Sequence, residues 1–203
     1  MVVIAGLVGT VLAIVIAFLR ISRIPVVDTL LKIYISFMRG TPVLIQILIV
    51  YYWLPGFIMM IAGLDIKRWD KINFVIIALF LNLAAFLAEV FRGAILAIPA
   101  GQTEAGYSIG LTRMQTFIRI VLPQAFRIMI PMLSAELVSL LHSCSLAFMI
   151  GVIDLVGAAQ AFGAREKHLM EAYFCIALIF IIFSILIRSV FRLVDMRMSR
   201  GRA

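Results

Sequence analysis

Acidic side chains are scarce in this sequence: its 203 residues hold 10 Asp and Glu against 18 Lys and Arg. Cysteine and histidine are rarer, with two of each. Cys144 and Cys175 stand far apart without framework or ligand spacing, which argues against a disulfide scaffold and a zinc site. They read as small core residues. His142 and His168 lack metal-ligand spacing too, so no metal is expected. Also absent is a phosphate loop of the GxxxxGKS/T type, and with it any ATP site built that way. No Ser/His/Asp or Cys/His constellation is legible, so no catalytic residue is assigned and the chain is not expected to be an enzyme. The basic excess is not gathered on one polar face, which argues against nucleic acid as a partner.

What fills the sequence instead is apolar surface. Hydrophobic residues make up 65% and charged ones 14%, where an average soluble domain has about 45–50% and about 25%. No core of this length hides so much apolar surface from water, so the solvent is a lipid bilayer. A crossing needs about 20 mostly apolar residues. Five stretches qualify: 2–19, 33–54, 72–96, 128–148 and 172–191. The opening run, MVVIAGLVGTVLAIVIAFLR, has no basic stretch ahead of it and outruns a signal peptide's apolar core, so it reads as an anchor.

Basic residues fall at the ends of the runs, as topology determinants do. With five crossings, Lys67, Arg68, Lys71, Arg165 and Lys167 share one side, leaving 13 of the 18 on the other. That imbalance places the N-terminus outside and the C-terminus, with Arg200 and Arg202, in the cytoplasm. The outer segments 55–71 and 151–171 are moderately apolar and are expected to lie in the interface or re-enter. No internal repeat or low-complexity linker divides the chain, so one membrane domain over 1–203 is expected.

Between the third and fourth runs sits EAGYSIGLTRMQTFIRIVLP, residues 104–123, the longest loop on the cytoplasmic side. Its pattern predicts a short helix over 102–108, with Pro99 and Gly101 ahead of it and Gly110 closing it through positive φ. A second helix starts from a Thr112 cap and runs to Pro123. Met114, Phe117, Ile118 and Val121 follow i, i+3, i+4, i+7 and make one face apolar, with Arg113 and Arg119 off that stripe. The result is a helix-turn-helix elbow at residues 99–125. On shape alone it is equally a surface hairpin that only joins two spans.

The spacing is more informative. Glu104-Ala105-Gly106, then Gly110, Ile120 and Leu122-Pro123, resembles the EAA signature of bacterial ABC-importer permeases. Gly106 stands where that family usually has Ala, and a glycine loosens a helix by about 1 kcal/mol. FMRGTP at 37–42, followed by Gln46, resembles the FRGTP segment of permeases for polar amino acids. NLAAFLAEVFRGAI at 82–95, running on to IPAGQ at 98–102, is similar to the same group. LLHSCSLA at 140–147 sits where relatives often read VKDTSLA; histidine-type permeases are among those that open this block with His and Ser. The resemblance runs from about Arg20 onward. The chain starts almost inside its first span, where relatives usually carry a further outer segment, so either a short first span or a truncated chain is expected.

This resemblance implies an all-α integral membrane protein of the type I importer permease fold, with about five transmembrane helices and a cytoplasmic coupling helix. It implies the transmembrane subunit of an ATP-driven importer of a polar amino acid in the bacterial plasma membrane. In that family the loop docks in a groove of an ATPase subunit, which carries the coupling role to Glu104, Ala105, Gly106, Gly110, Ile120, Leu122 and Pro123. The implied partners are two ATPase subunits that bind ATP and Mg²⁺, a second permease subunit (identical or related), and an extracytoplasmic amino-acid-binding protein.

Ionisable groups within spans need a reason, and the usual one is a pathway or a partner. Glu89 and Arg92 are i, i+3 and can pair, with Asn82 two turns outward on the same face. Glu136, Ser139 and Ser143 form one polar stripe near the midplane, where transporter sites lie, with His142 and Ser145 at its border. Glu136 suits an ammonium or a cationic side chain, and Asn82 and the serines offer hydrogen bonds. The plain alternative is that the serines and Asn82 only join helices and that Glu89–Arg92 is a structural pair. Arg39-Gly40-Thr41-Pro42 weakens its helix and reads as a span boundary with a gating role. Two rivals use the same residues: an ion-driven transporter coupled through Glu89 and Glu136, and a membrane scaffold that transports nothing.

Overall fold

The computed structural model describes residues 1–200, with side chains through Met198. Arg202, counted above on the basic side, lies outside the described residues, as does the side chain of Arg200. Nine α-helices follow one another among the described residues: α1 (Val2–Ile21), α2 (Pro25–Gly40), α3 (Val43–Ala62), α4 (Lys71–Leu96), α5 (Ala100–Ser108), α6 (Arg113–Thr116), α7 (Leu122–Ser143), α8 (Leu155–Glu166) and α9 (Leu169–Arg200). Five helical stretches are long and apolar enough to cross a membrane: α1, α3, α4, the continuous run Arg113–Ile150 that contains α6 and α7, and α9.

The expected second span, 33–54, is corrected to α3. Pro42 has no N–H and disfavours helical geometry in the residue before it, so Thr41 is extended at φ −118°, ψ 145° and α2 stops at Gly40. The crossing then runs eight residues further than expected. Pro55 sits inside α3, as proline can in apolar helices. Gly63, at φ 65°, ends the helix and donates its N–H to the Met59 carbonyl at 3.1 Å. The outer segment expected over 55–71 therefore shrinks to 63–70 between the helices. The other outer segment holds α8, capped by the Asp154 carboxylate, which accepts from Gly157 N–H at 2.8 Å.

α4 is the centre of the bundle. Phe74, Val75, Leu79, Leu83, Leu87 and Ala88 along it are almost fully buried. Small residues on α1 let the two backbones approach, because lipid gives helices no hydrophobic drive to pair and close contact must supply it. Ala5, Gly9, Ala13 and Ala17 recur every four residues and are all buried. At Gly9 a methyl group would stand 3.0 Å from both the Phe80 carbonyl oxygen and Leu83 Cδ2 of α4. α9 is peripheral, with only 6% of its apolar window buried within the chain.

The elbow differs from expectation at its second arm. Thr112 caps α6 reciprocally with Gln115, but the helix does not end at Pro123. It widens into a π turn over Phe117–Val121 and continues into α7. Pro123 lacks the N–H that would meet the Arg119 carbonyl, and the wider turn absorbs the mismatch. Leu122 N–H reaches back to the Phe117 carbonyl instead. Beyond Ser143 the run tightens to a 3₁₀ helix over Cys144–Ile150.

Candidate functional site

The functional residues fall into three groups along the chain: the elbow, a cluster of charges where α1, α2 and α4 meet, and the stripe on α7. Within the elbow, α5 packs on the wide turn through Gly106, which is buried. A Cβ there would come within 2.7 Å of Thr116 Cγ2 and 3.0 Å of Ile120 Cδ1. Glycine is therefore required here by close approach, and Gly110 by its φ of 83°. Thr116 is wholly buried, and its hydroxyl meets no hydrogen-bond partner among the described residues. Glu104, Ala105, Leu122 and Pro123 are exposed, and Tyr107, Ile109 and Met114 stand out at 45%, 75% and 67% exposure. Met114 and Ile118 of the expected apolar stripe thus face outward, while Val121 is buried.

Gly106→Ala is expected to push Thr116 off α5, an overpacking cost of about 1–3 kcal/mol that exceeds the ~1 kcal/mol gained in helix propensity. Hydrogen exchange of the α5 amides should speed up in that variant. Adding Thr116→Ala removes both the obstructing methyl and the unpaired hydroxyl, and exchange should return to the wild-type rate. Equal exchange in all three proteins would show that the Gly106–Thr116 contact does not hold the arms together.

The second group is larger than the expected Glu89–Arg92 pair. Arg92 Nη2 donates to Glu89 Oε2 at 2.8 Å. Arg20 of α1 donates to Glu89 Oε1 from the other side and to Asp28 Oδ1 of α2 at 3.2 Å. Lys32 Nζ is 2.5 Å from Asp28 Oδ2. Lys32, helped by Arg20 and opposed by partial burial, holds the Asp28 carboxyl below its ordinary range. Glu89 therefore anchors a chain of charges joining three helices. Above it, Tyr34 OH donates to the Leu81 carbonyl at 2.6 Å.

Asn82 turns to the α2–α3 corner. Its Nδ2 donates to Gln46 Oε1 at 2.9 Å, and Gln46 Nε2 lies 2.8 Å from the Met38 carbonyl, 3.0 Å from the Thr41 carbonyl and 2.9 Å from Thr41 Oγ1. Carbonyls freed where α2 stops at Gly40 and Pro42 are thus satisfied by one amide that is 98% buried. Arg39 stacks over the Phe86 ring at 5.5 Å.

On α7, Glu136 is half-buried and makes no hydrogen bond or ion pair among the described residues; the charge of Arg39 reaches it from α2. Ser139 is exposed and Ser143 half-buried on the same face. His142 turns away to α9, with Nε2 3.1 Å from Ser184 Oγ and its ring edge-on to Phe180. Ser145 donates to the His142 carbonyl at 2.6 Å. The structure thus leaves Glu136, Ser139 and Ser143 open and engages Asn82, Glu89, His142 and Ser145 elsewhere. Sequence reasoning did not find Arg20, Asp28 or Thr116. Arg20 and Asp28 carried a signal, being charges at helix ends near the membrane level of Glu89. Thr116 carried none.

A further cavity of about 470 Å³ opens between α5 and the start of α7, lined by Gln102, Arg119, Ile120, Pro123, Gln124 and Arg127. Gln124 Nε2 donates to the Ile120 carbonyl at 2.9 Å and to Gln102 Oε1 at 3.2 Å. Arg127 Nε is buried there without a hydrogen-bond partner.

Residues 9–200 match the family described as binding-protein-dependent transport system inner membrane component. An L-cystine transport system permease protein of Bacillus subtilis is 38% identical over 194 residues, 96% of this chain and 81% of its own length. An octopine transport system permease protein of Rhizobium radiobacter is 37% identical, over 92% of this chain and 77% of its own. A glutamine transport system permease protein of Escherichia coli is 30% identical, over 82% and 73%. Among solved structures, a crystal structure of an amino acid ABC transporter with histidines superposes with a TM-score of 0.83 at 28% identity, covering 97% of this chain and 88% of its own. An inward-facing methionine ABC transporter shares the fold, with a TM-score of 0.74 at 20% identity over 98% and 91%.

Proposed function

As a member of the family of binding-protein-dependent transport system inner membrane components, this chain is the membrane-spanning subunit of an amino-acid ABC importer, and we propose that its elbow is the point where ATP hydrolysis by a partner enters. The family works with an ATPase and a binding protein, and the chain is not itself catalytic. Two permease subunits, identical or related, enclose the path. Two ATPase subunits, each with ATP and Mg²⁺, grip the elbows at Glu104, Ala105 and Gly110, and a binding protein delivers a polar amino acid at the outer face. The N-terminus lies outside and the C-terminus in the cytoplasm, on the strength of the Lys and Arg imbalance.

The observation that carries the coupling assignment is the exposed surface of the elbow. Tyr107, Ile109 and Met114 of the elbow are apolar side chains left exposed among the described residues, as Glu104 is, and exposed apolar surface of this kind marks protein–protein contact. Substrate contact is assigned to Glu136, Ser139 and Ser143, which share one face of α7 and have no hydrogen-bond or ion-pair partner among the described residues. A cationic or bulky amino acid suits that carboxylate.

Affinity purification of the tagged chain from gentle detergent tests the assignment. Wild type should bring down an ATPase subunit. Gly110→Arg should lose it, because an arginine side chain at a φ of 83° strains the turn and projects from the elbow. The variant should still fold but melt a few degrees below wild type, because the strained turn costs about 1–2 kcal/mol and a chain of this size loses about 2–4 °C per kcal/mol. ATPase recovered equally with both chains would remove the elbow as the docking point. ATPase recovered with neither would favour an ion-driven transporter.

A further inference from the structure

We propose that the cavity between α5 and α7 holds the phosphate of an anionic phospholipid from the leaflet on the elbow's side of the membrane. Its lining carries two guanidinium groups, two carboxamides and no carboxylate. Arg119 and Arg127 are in none of the ion pairs of the described residues, unlike Arg20, Lys32 and Arg92. Arg127 Nε is closed off from solvent with no acceptor. An unpaired arginine fork matches a phosphate's oxygens.

The position in the membrane selects the source. The apolar run of α7 begins at Ile128. At about 1.5 Å per residue, Arg127, Gln124 and Arg119 stand roughly 1.5, 6 and 13 Å beyond it along the axis. The headgroup layer on each face is about 5–7 Å deep, and a flexible arginine reaches back into it. Beside this polar line Phe126 is exposed about 3 Å beyond the start of the apolar run, where the acyl chains of a lipid held by its phosphate enter the hydrocarbon. The net charge of the lining favours phosphatidylglycerol over a zwitterionic lipid, whose cationic end the arginines repel. Because Gln102 belongs to α5 and the arginines to the helix that becomes α7, the bound headgroup would bridge the two arms of the elbow. The site rests on the family reading only in taking α7 as a crossing. It does not depend on which face is cytoplasmic, but it needs the ATPase to leave the Ile120–Pro123 side of the elbow open.

The test uses the purified importer complex in nanodiscs of phosphatidylcholine, with and without phosphatidylglycerol. Native mass spectrometry counts the lipids retained after release. Wild type is expected to retain phosphatidylglycerol preferentially, Arg127→Gln to lose that preference by about tenfold, and Arg127→Lys, which keeps the charge, to preserve most of it. Arg119→Gln reads the same site should Arg127→Gln fail to assemble. Equal retention in wild type and both glutamine variants overturns the proposal. Displacement of the lipid by millimolar inorganic phosphate would make the ligand a soluble oxyanion and overturn the lipid assignment. Loss of the ATPase from Arg127→Gln with lipid retention unchanged would give the cavity to a partner's carboxylate, also overturning it.

Discussion

Glu89→Ala is expected to lower the melting temperature of the purified permease by about 5–10 °C. Removing one partner of a buried ion pair costs about 3–5 kcal/mol. The partial exposure of Arg92, at 30%, argues for about 2–3 kcal/mol here, which a chain of this size reads as a few degrees per kcal/mol. The loss should be shared by three helices, because Arg20 of α1 and Arg92 of α4 would both be left facing a methyl group while Asp28 of α2 kept only part of its counter-charge. Glu89→Gln keeps two hydrogen-bond sites and should lose less than the alanine variant. If Glu89 instead served the transported molecule, the alanine variant would keep its melting temperature and raise KM. Glu136→Gln is expected to show that second pattern, since Glu136 has no partner to strand. It should melt like wild type and take up a cationic amino acid more slowly. Unchanged uptake kinetics in Glu136→Gln would remove that residue from the path.

Gln46→Leu should be comparably damaging for a different reason. Leucine fills nearly the same volume, so packing changes little, but the Thr41 carbonyl loses its side-chain partner, and the Met38 carbonyl and Asn82 amide keep only a long contact with each other at 3.5 Å. Each buried polar group left unmade costs about 1–3 kcal/mol, and two such groups correspond to a drop of roughly 5–15 °C. Limited proteolysis should then cut the corner at Gly40–Pro42 in the variant and spare it in wild type. Asn82→Leu leaves Gln46 holding the corner and should show at most a third of the effect. A Gln46→Leu protein that melts and resists protease like wild type would mean that the corner is held by the bundle around it, not by this amide.

The five crossings were legible because a run of apolar residues is a local property, and lipid demands it of each helix separately. Glu89 with Arg92 was legible for the same reason, since three residues along a helix is a fixed geometry. The elbow's turn was announced by Gly110 and by the Thr112 cap. What the sequence did not show was the partner found across helices. Arg20 lies 69 positions from Glu89, and their meeting depends on how closely α1 approaches α4 over Gly9. The second span was misplaced by ten residues at its start and eight at its end because apolar residues continue on both sides of Pro42, and hydropathy averages over a break that φ and ψ do not. At the candidate site, Glu136, Ser139 and Ser143 were read correctly as one face, but His142, one position from Ser143, turns to α9. The direction of a single side chain at the edge of a stripe follows from what packs beside it.

The run from Arg113 to Ile150 has a mechanical consequence. Because Pro123 widens a turn without breaking the helix, whatever grips the elbow holds one end of the same rod that carries Glu136. The wide turn at Phe117–Val121 is one place where that rod bends, and Pro131 inside α7 is another. Glu136 lies 15 positions past Val121, or about 22 Å at 1.5 Å per residue. A swing of roughly 10° at the turn would therefore carry the carboxylate sideways by about 4 Å, close to the width of a methylene chain. On the assignments proposed above, a modest closure of partners gripping the elbow, acting through this lever, would move Glu136 from one side of a bound amino group to the other.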